Sequence, residues 1–506
     1  MQLHFRALRQ TRRAAIVALS LVLVLALPLL VFANVPVTQI SFDTYTNTTS
    51  QHKTQVEPDT FSFGNTIVMA TQTGRFFDGG SSNIAWATST NGGATWTGGN
   101  LPGLTKHDNP ANPWDRATDP AVAYDAQDNV WMISSLVLLE AGGVSGVGVV
   151  TSRSTDGGLT WGNPILIPDS SIGDVDKNWI ACDNTATSLF YGNCYTEWDE
   201  FSDGDRIYMS TSTDGGLNWG PRLKPANNAT GLGGQPVVQP NGTVIVPAAN
   251  ANETQIIAFR STNGGTSWSS TVTVASAIDH TVAGGLRTGP LPSAEIDSAG
   301  KVYVAWQDCR FRAGCARNDI VMSTSNDGVT WSAVTRIPID ATSSKVDHFI
   351  PGLAVDKATS GASAHLGLTY YYYPKSSCSA STCQLNVGFI ESANGSSSWS
   401  APTAIAGPMS LSWLPNTSQG RMVGDYISTS FNASGQAFGA FAVAFTPTAG
   451  GTDCATATPN CNQATYTVSG GLRGAAGSFV VNAGGEHAIP SAASDHASAN
   501  APIITR

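Results

Sequence analysis

The stretch STDGGLTW at residues 154–161 decides the fold, because it does not stand alone. Close copies read STNGGATW (89–96), STDGGLNW (212–219) and STNGGTSW (261–268), and looser ones TSNDGVTW (324–331) and SANGSSSW (392–399). The third position is always Asp or Asn: Asn91, Asp156, Asp214, Asn263, Asn326 and Asn394. A short carboxylate or amide there accepts backbone N–H groups two residues on and builds a turn. Glycine at the fifth position supplies a positive φ, and only the last copy departs, with Ser396. The closing Trp offers a large ring to bury between neighbouring units. Each copy therefore predicts a hairpin clamp.

Around the clamps runs a second register. Strand starts recur at 57, 119, 178, 235, 291, 350 and 424, as in EPDTFSF, DPAVAYD and GDYISTS. A second strand follows each, as in GNTIVMA, DNVWMIS and GKVYVAW, and third strands such as NIAWATS and VGVVTSR run into the boxes. Fourth strands leave the Trp. Four short strands per unit, separated by Gly, Asn and Asp turns, predict an all-β fold, a β-propeller of four-stranded antiparallel blades, with seven blades favoured over six. The seventh unit lacks a box and is completed by ATYTV and GSFVV, while residues 36–42 (PVTQISF) are placed to close the ring on it. Residues 34–481 are read as the propeller, and the Ala-, Ser- and Gly-rich residues 482–506 as a disordered tail.

The repeated S-x-D-x-G-x-T-W pattern resembles the Asp-box, or BNR, repeat of sialidases and related β-propellers. The likeness covers about residues 57–481. It speaks to fold more than to chemistry, since the box is a turn device found with many activities.

Composition narrows the partners. The 26 Lys and Arg against 36 Asp and Glu give a net charge of −10. The first 33 residues hold Arg6, Arg9, Arg12 and Arg13 and no acid, so without them the balance is 22 − 36 = −14. Such a chain repels phosphate backbones and anionic lipid, which sets nucleic acid and membrane aside as partners. The four Arg, the apolar run 14–32 and the small residues that follow read as a secretory signal peptide, with an uncleaved anchor as the rival reading. A secreted, extracellular location follows. The eight Cys form four close pairs, Cys182 with Cys194, Cys309 with Cys315, Cys378 with Cys383 and Cys454 with Cys461, and local disulfides are expected. No CxxC spacing or neighbouring His supports zinc.

Three of those pairs fall in loops between second and third strands, the face that also receives the residues entering each first strand. Arg116 and Asp119, Asp176 and Lys177, Arg287, Asp347 and His348, and Arg421, Asp425 and Tyr426 converge there, and Arg75 joins from TGRFFDGG. Arg forks suit a sugar carboxylate; the competing reading is that Arg116–Asp119 and Arg421–Asp425 pairs only lock the rim. Similarity to sialidases implies three Arg on the substrate carboxylate, a Tyr nucleophile assisted by Glu, and an Asp acid/base. Carried onto this sequence, Arg287 and Arg421 take the second and third Arg places, Tyr426 the nucleophile, Glu295 its base and Asp119 the acid. The first Arg is missing, because its R-I-P position reads Gln55-Val56-Glu57-Pro58.

Other groups are weaker. Glu197, Asp199, Glu200, Asp203 and Asp205 have the alternation that suits Ca²⁺ oxygen ligands, with a solvated acidic turn as the other reading. Tyr370 to Tyr373 alternate between faces, two for the core and two for stacking on sugar. The sequence thus predicts a secreted sialidase-like glycoside hydrolase acting on extracellular glycan, in its most concrete form an exo-α-sialidase. Against it stands a non-catalytic propeller that binds glycan or protein at the disulfide-edged face.

Overall fold

The computed structural model describes residues 35–171, 173–447, 453–454, 461–473 and 479–481. The signal segment and the C-terminal tail lie outside them. Among the described residues there is no α-helix, only strands and short 3₁₀ turns, and no helix is long and apolar enough to cross a membrane.

The boxes fold as hairpin clamps, with a wider hydrogen-bond span than the sequence suggested. Asp156 accepts the N–H of Thr160, four residues on, at 2.9 Å, and the Ser154 hydroxyl accepts that of Gly158 at 2.9 Å. The same pair of bonds recurs at Asn91, Asp214, Asn263 and Asn394. In the fifth copy the turn is one residue tighter, and Asp327 rather than Asn326 takes the N–H of Thr330, at 2.7 Å. The fifth position needs positive φ: Gly93 sits at +89°, and a Cβ there would lie 2.2 Å from the Phe438 ring. Ser396 accepts the same conformation at +74°, at the cost of strain. Trp161, Trp219, Trp268 and Trp399 are buried, so the clamps also anchor the core between units.

The strands form antiparallel sheets arranged as a β-propeller. Among the described residues, five sheets reach four strands or more, beside one of three strands and two short ribbons. This corrects the expectation of seven separate four-stranded sheets. The first two sequence units run together into one eight-stranded sheet because Ser81 pairs with Ala117 across their boundary. The third unit stops at three strands, Val175–Cys182, Cys194–Glu200 and Arg206–Ser212, with Leu223 bridging to Met209 in place of a fourth. In the last unit, Val37–Gln39 takes the edge of Gln463–Val468, in the register Val37↔Val468. With that edge filled, Phe479–Val481 from GSFVV pairs instead with Ser398–Ser400, beside the sixth box.

First strands are locked sideways by side chains rather than by a ladder. Asp59 accepts the N–H of Val122 at 2.7 Å, Gln235 that of Ala294 at 2.8 Å, Ser293 that of Leu353 at 2.9 Å, and Ser428 that of Thr60 at 3.2 Å. The last of these joins the seventh sequence unit to the first. All four expected disulfides are present. Cys182 and Cys194 stand directly opposite on adjacent strands.

Candidate functional site

The first strands do not enter the axis smoothly. Their pairing skips between Val56 and Asp59, Thr118 and Ala121, and Asp176 and Trp179. At each skip a charged residue has positive φ: Glu57 at +54°, Asp119 at +47° and Lys177 at +49°. A bulge re-aims a side chain, and left-handed backbone at a non-glycine residue costs roughly 1–2 kcal/mol. Strain repeated at three charged positions is what a functional constellation often requires.

The re-aimed side chains meet in one buried cluster. Lys177 Nζ lies 2.5 Å from Asp425, 3.2 Å from Asp119 and 3.5 Å from Glu57. Arg287 grips Asp425 with both prongs of its fork, Nε donating at 2.7 Å and Nη2 to the second oxygen. Gln72 donates to Glu57 and accepts from Arg75 Nη1 at 3.0 Å, which ties Arg75 into the network. Tyr426 follows Asp425, donates its hydroxyl to the Pro120 carbonyl at 3.0 Å, and meets Trp179 edge-on with ring centres 5.1 Å apart.

The electrostatics of the cluster separate its acids. Burial, and then the neighbouring Asp119, push Glu57 up to about 8, so it carries a proton at neutral pH. Burial also works against the Asp425 carboxylate, but Arg287 and Lys177 outweigh it and hold that group well below the usual range. Lys177 is likewise desolvated, yet Asp119, Asp425 and Glu57 keep it firmly charged. Burial and the adjacent acids raise the Tyr426 phenol well above its ordinary value. A hairpin of Asn416–Thr417 and Gly420–Arg421 spans the mouth. It exchanges two hydrogen bonds with Gln51, gives the Ser418 N–H to Phe77 O at 2.8 Å, and takes the Arg287 N–H at 2.7 Å.

Of the residues expected at the site, Asp119, Arg75, Arg287 and Tyr426 come together. Glu295 does not: it lies at the opposite end of the channel, ion-paired to Lys357. Arg421 turns outward to Asp453 at 2.7 Å and to the Leu414 carbonyl, so the expected Arg421–Asp425 lock is absent. Arg116 pairs with Asp78 at 2.5 Å and Glu140 at 2.6 Å, over the Phe76 ring, rather than with Asp119. Both departures follow from the Asp425 carboxylate being already claimed by Arg287, and Asp119 by Lys177. Glu57 and Lys177 are the participants whose roles the sequence left unread. Their signal was a charge recurring at one offset, in Glu57-Pro58, Asp119-Pro120 and Lys177-Asn178.

The acidic segment 197–205 does not gather around one point. Glu197 and Asp199 are buried and pushed well up by desolvation, Glu200 pairs with Arg222, and Asp203 takes the Tyr208 hydroxyl. Tyr370, Tyr371 and Tyr373 are buried and only Tyr372 is partly open, so no pair of rings is offered for stacking. Among the described residues, Asp319, Asp340 and His348 alone bring three metal-type ligand atoms within 4.8 Å. Arg312 and Arg336 already neutralise both carboxylates, which leaves little attraction for a dication.

Residues 140–353 match the model of the BNR repeat-like domain family. That matched stretch lies within the β-propeller. A xyloglucanase from a Paenibacillus species is 30% identical over 240 residues, a stretch that makes up 45% of this chain and 22% of that enzyme. The chain therefore spans well under two thirds of that relative. Among solved structures, a protein of unknown function from Dyadobacter fermentans is 16% identical over 72% of this chain and all of that one, with a TM-score of 0.45. The NanB sialidase of Streptococcus pneumoniae is 13% identical over 86% of this chain and 70% of that one, with a TM-score of 0.42.

Proposed function

We propose that this propeller is an exported glycoside hydrolase that acts on extracellular glycan at the axial charge cluster. The observation that carries the reading is the split between Glu57, pushed up to about 8 by burial, and Asp425, held well below the usual range by Arg287 and Lys177, within one buried network beside Asp119 and Tyr426. Carboxyl groups driven apart in this way divide into a proton donor and a charge that stabilises an oxocarbenium-like transition state. Glu57 gives its proton to the leaving glycosidic oxygen, water supplies the hydroxyl at the anomeric carbon, and the proton released by that water restores Glu57. The substrate reaches the cluster when the hairpin at Asn416–Arg421 lifts. Four disulfides suit an oxidising compartment outside the cell. The seven sequence units each contribute to the walls of one axial cavity.

The narrower exo-α-sialidase form assigns Tyr426 as nucleophile, Asp119 as acid and Arg287 to the sugar carboxylate. It requires the substrate to displace Asp425 from the Arg287 fork, and Glu57 takes the assisting place that Glu295 cannot reach. A neutral sugar needs no such exchange, and the xyloglucanase likeness favours it. Turnover of fluorogenic sialosides and neutral glycosides, by wild type and Glu57→Gln, tests the proposal. Loss of a proton donor should cut kcat at least about 100-fold on the accepted substrate. Absence of turnover on every glycoside, with glycan binding intact, would establish the non-catalytic binding propeller instead, a reading that the closed mouth favours.

A further inference from the structure

The charge cluster fills only the entry end of the first strands. Further along the same strands lies a cavity of about 570 Å³, within the range of about 300–1,000 Å³ typical of small-molecule sites. Its walls come from Asp59–Phe63, Trp179–Cys182, Gln235–Val238 and Ser293–Ile296, with Leu353 and Ile427 completing the circuit. It opens among the turns that follow the first strands, on the face of the boxes, where Asn432 donates to the Gly92 carbonyl of the first box. The sialidase-like assignment uses the other end.

The chemistry of the wall is mixed, with Asp59, Glu295, Asp297 and Asp356 beside Lys357. Glu295 is neutralised by Lys357, which also donates to the Ile296 carbonyl at 3.1 Å. Asp59 spends one oxygen on the Val122 N–H, and burial raises it to about 7. Asp297 accepts the N–H groups of Ala299, Lys301 and Gly361 and the Tyr303 hydroxyl, and Asp356 that of Ala358, so the wall repels an anion while most of its carboxylate oxygens are engaged. Polar capacity remains, however. Gln235 uses its carbonyl oxygen on Ala294, while its side-chain N–H groups have no acceptor among the described residues. The Glu295 oxygen not facing Lys357 is likewise without a donor among them. Phe61 and Trp179 present partly open rings to the same space, and Phe63 is 44% exposed at its edge. Aromatic faces beside one free donor and one free acceptor, in a pocket whose other carboxylates are largely engaged, match a polyhydroxylated ring with an apolar C–H face.

We infer that this cavity is a second binding site, specific for the end of an uncharged oligosaccharide. The sugar ring packs on Trp179 and Phe61, a hydroxyl accepts from the Gln235 amide, and another donates to Glu295. The site does not depend on the axial cluster being catalytic. It supplies what a glycan-acting propeller needs in order to stay on a polymer, namely contact away from the cluster.

Isothermal titration of the full chain with cellobiose, N-acetylneuraminic acid and spermidine tests the inference. Wild type should bind cellobiose in preference to both charged probes. Glu295→Ala, and independently Ala433→Trp, which fills the mouth from an exposed position, should each weaken cellobiose at least tenfold. Lys106→Met, at an exposed ion pair away from both sites, should leave that affinity unchanged. Thermal melting of each variant shows that it is folded, and Glu295→Ala, which breaks only a partly exposed pair, decides the matter if Ala433→Trp does not fold. No cellobiose binding at millimolar ligand would overturn the inference. So would stronger binding of either charged probe, or cellobiose affinity lost in Lys106→Met and kept in the cavity variants. Failure of hydrolysis alone leaves this binding result standing, so the two proposals fail separately.

Discussion

Replacing Lys177 by Met removes a cation that touches three carboxyl groups at once. The methionine fills much of the same volume, so the loss is electrostatic. Asp425 keeps Arg287, and Glu57 already holds a proton near neutral pH, but Asp119 is left buried with the Thr118 hydroxyl at 3.0 Å as its hydrogen-bond donor. Stripping one partner from a buried ion pair costs about 3–5 kcal/mol. Unfolding entropy of roughly 2.1 cal/mol/K per residue, over somewhat more than 400 ordered residues, is about 0.9 kcal/mol/K, so Tm should fall by about 3–5 °C. The sign of the pH dependence is specific. In the variant Glu57, which Lys177 had held down against burial, has a folded-state pKa raised still further above its unfolded value. Its neutral form is favoured at low pH, and the penalty grows as pH rises through that interval. Differential scanning calorimetry at pH 8 and pH 5 should therefore show a gap between wild type and variant that narrows in acid. Lys106→Met, which breaks the exposed pair with Asp115 at 2.6 Å, should change stability by at most about 1 kcal/mol at either pH. A Lys177→Met variant as stable as wild type at pH 8, or a gap independent of pH, would refute the reasoning.

Three further outcomes are expected. Wild-type Tm should drop between pH 5 and pH 8, because Glu57 (about 8) and Asp59, Asp279 and Asp347 (each about 7) all have raised folded pKa values, so they stabilise below their unfolded values and lose that contribution as pH rises; a Tm that climbs over this interval would contradict it. Gly93→Ala should destabilise by about 2–4 kcal/mol in urea melts, since the new methyl meets Phe438 at 2.2 Å and φ is +89°, whereas Gly157→Ala, open on all sides at φ +85°, should show only the conformational part, about 1–2 kcal/mol. Reducing the link between Cys182 and Cys194, by Cys→Ser at both positions, should cost about 2–3 kcal/mol in the same assay, with an intact far-ultraviolet circular dichroism spectrum.

The fold was legible because its information is local. Asp156 and Gly158 settle a turn within eight residues, and the turn repeats, so the β-propeller could be read from one box and its copies. The place of Val37–Gln39 was legible for the same reason, as an alternating segment lacking a partner. What the sequence hid was decided by contacts between units. Nothing in Ser81 or Ala117 alone announces that two units will share an edge. GSFVV reads as a fourth strand, yet loses the edge of its own sheet to the N-terminal strand. At the site, the arginines were visible as residue types but their partners were not. Arg116–Asp119 and Arg421–Asp425 are near in sequence, and the observed pairs instead join Arg116 to Glu140 and Arg287 to Asp425, 138 residues apart. Glu295 does line the channel, but the channel has two ends, and strand alternation does not say which one a side chain serves.

The Arg287–Asp425 fork bears on which sugars the cluster can accept. A bidentate arginine–carboxylate pair is the arrangement an acidic sugar would itself seek, so Asp425 stands where the carboxylate of such a substrate would bind. Expelling Asp425 from both cations would forfeit about 3–5 kcal/mol. Lys177 changes that balance, because it already holds the same carboxylate at 2.5 Å and retains it when Arg287 turns away. Arg287 could then exchange one carboxylate for another with little net change in its own pairing, and the cost would fall on reorganising the buried network and the hairpin that takes its backbone N–H. A neutral glycan faces only the hairpin. Substrate charge is therefore read by whether Asp425 moves: binding of an acidic sugar should be tightened by Asp425→Asn, which frees the fork, while binding of a neutral sugar at the cluster should gain nothing from it.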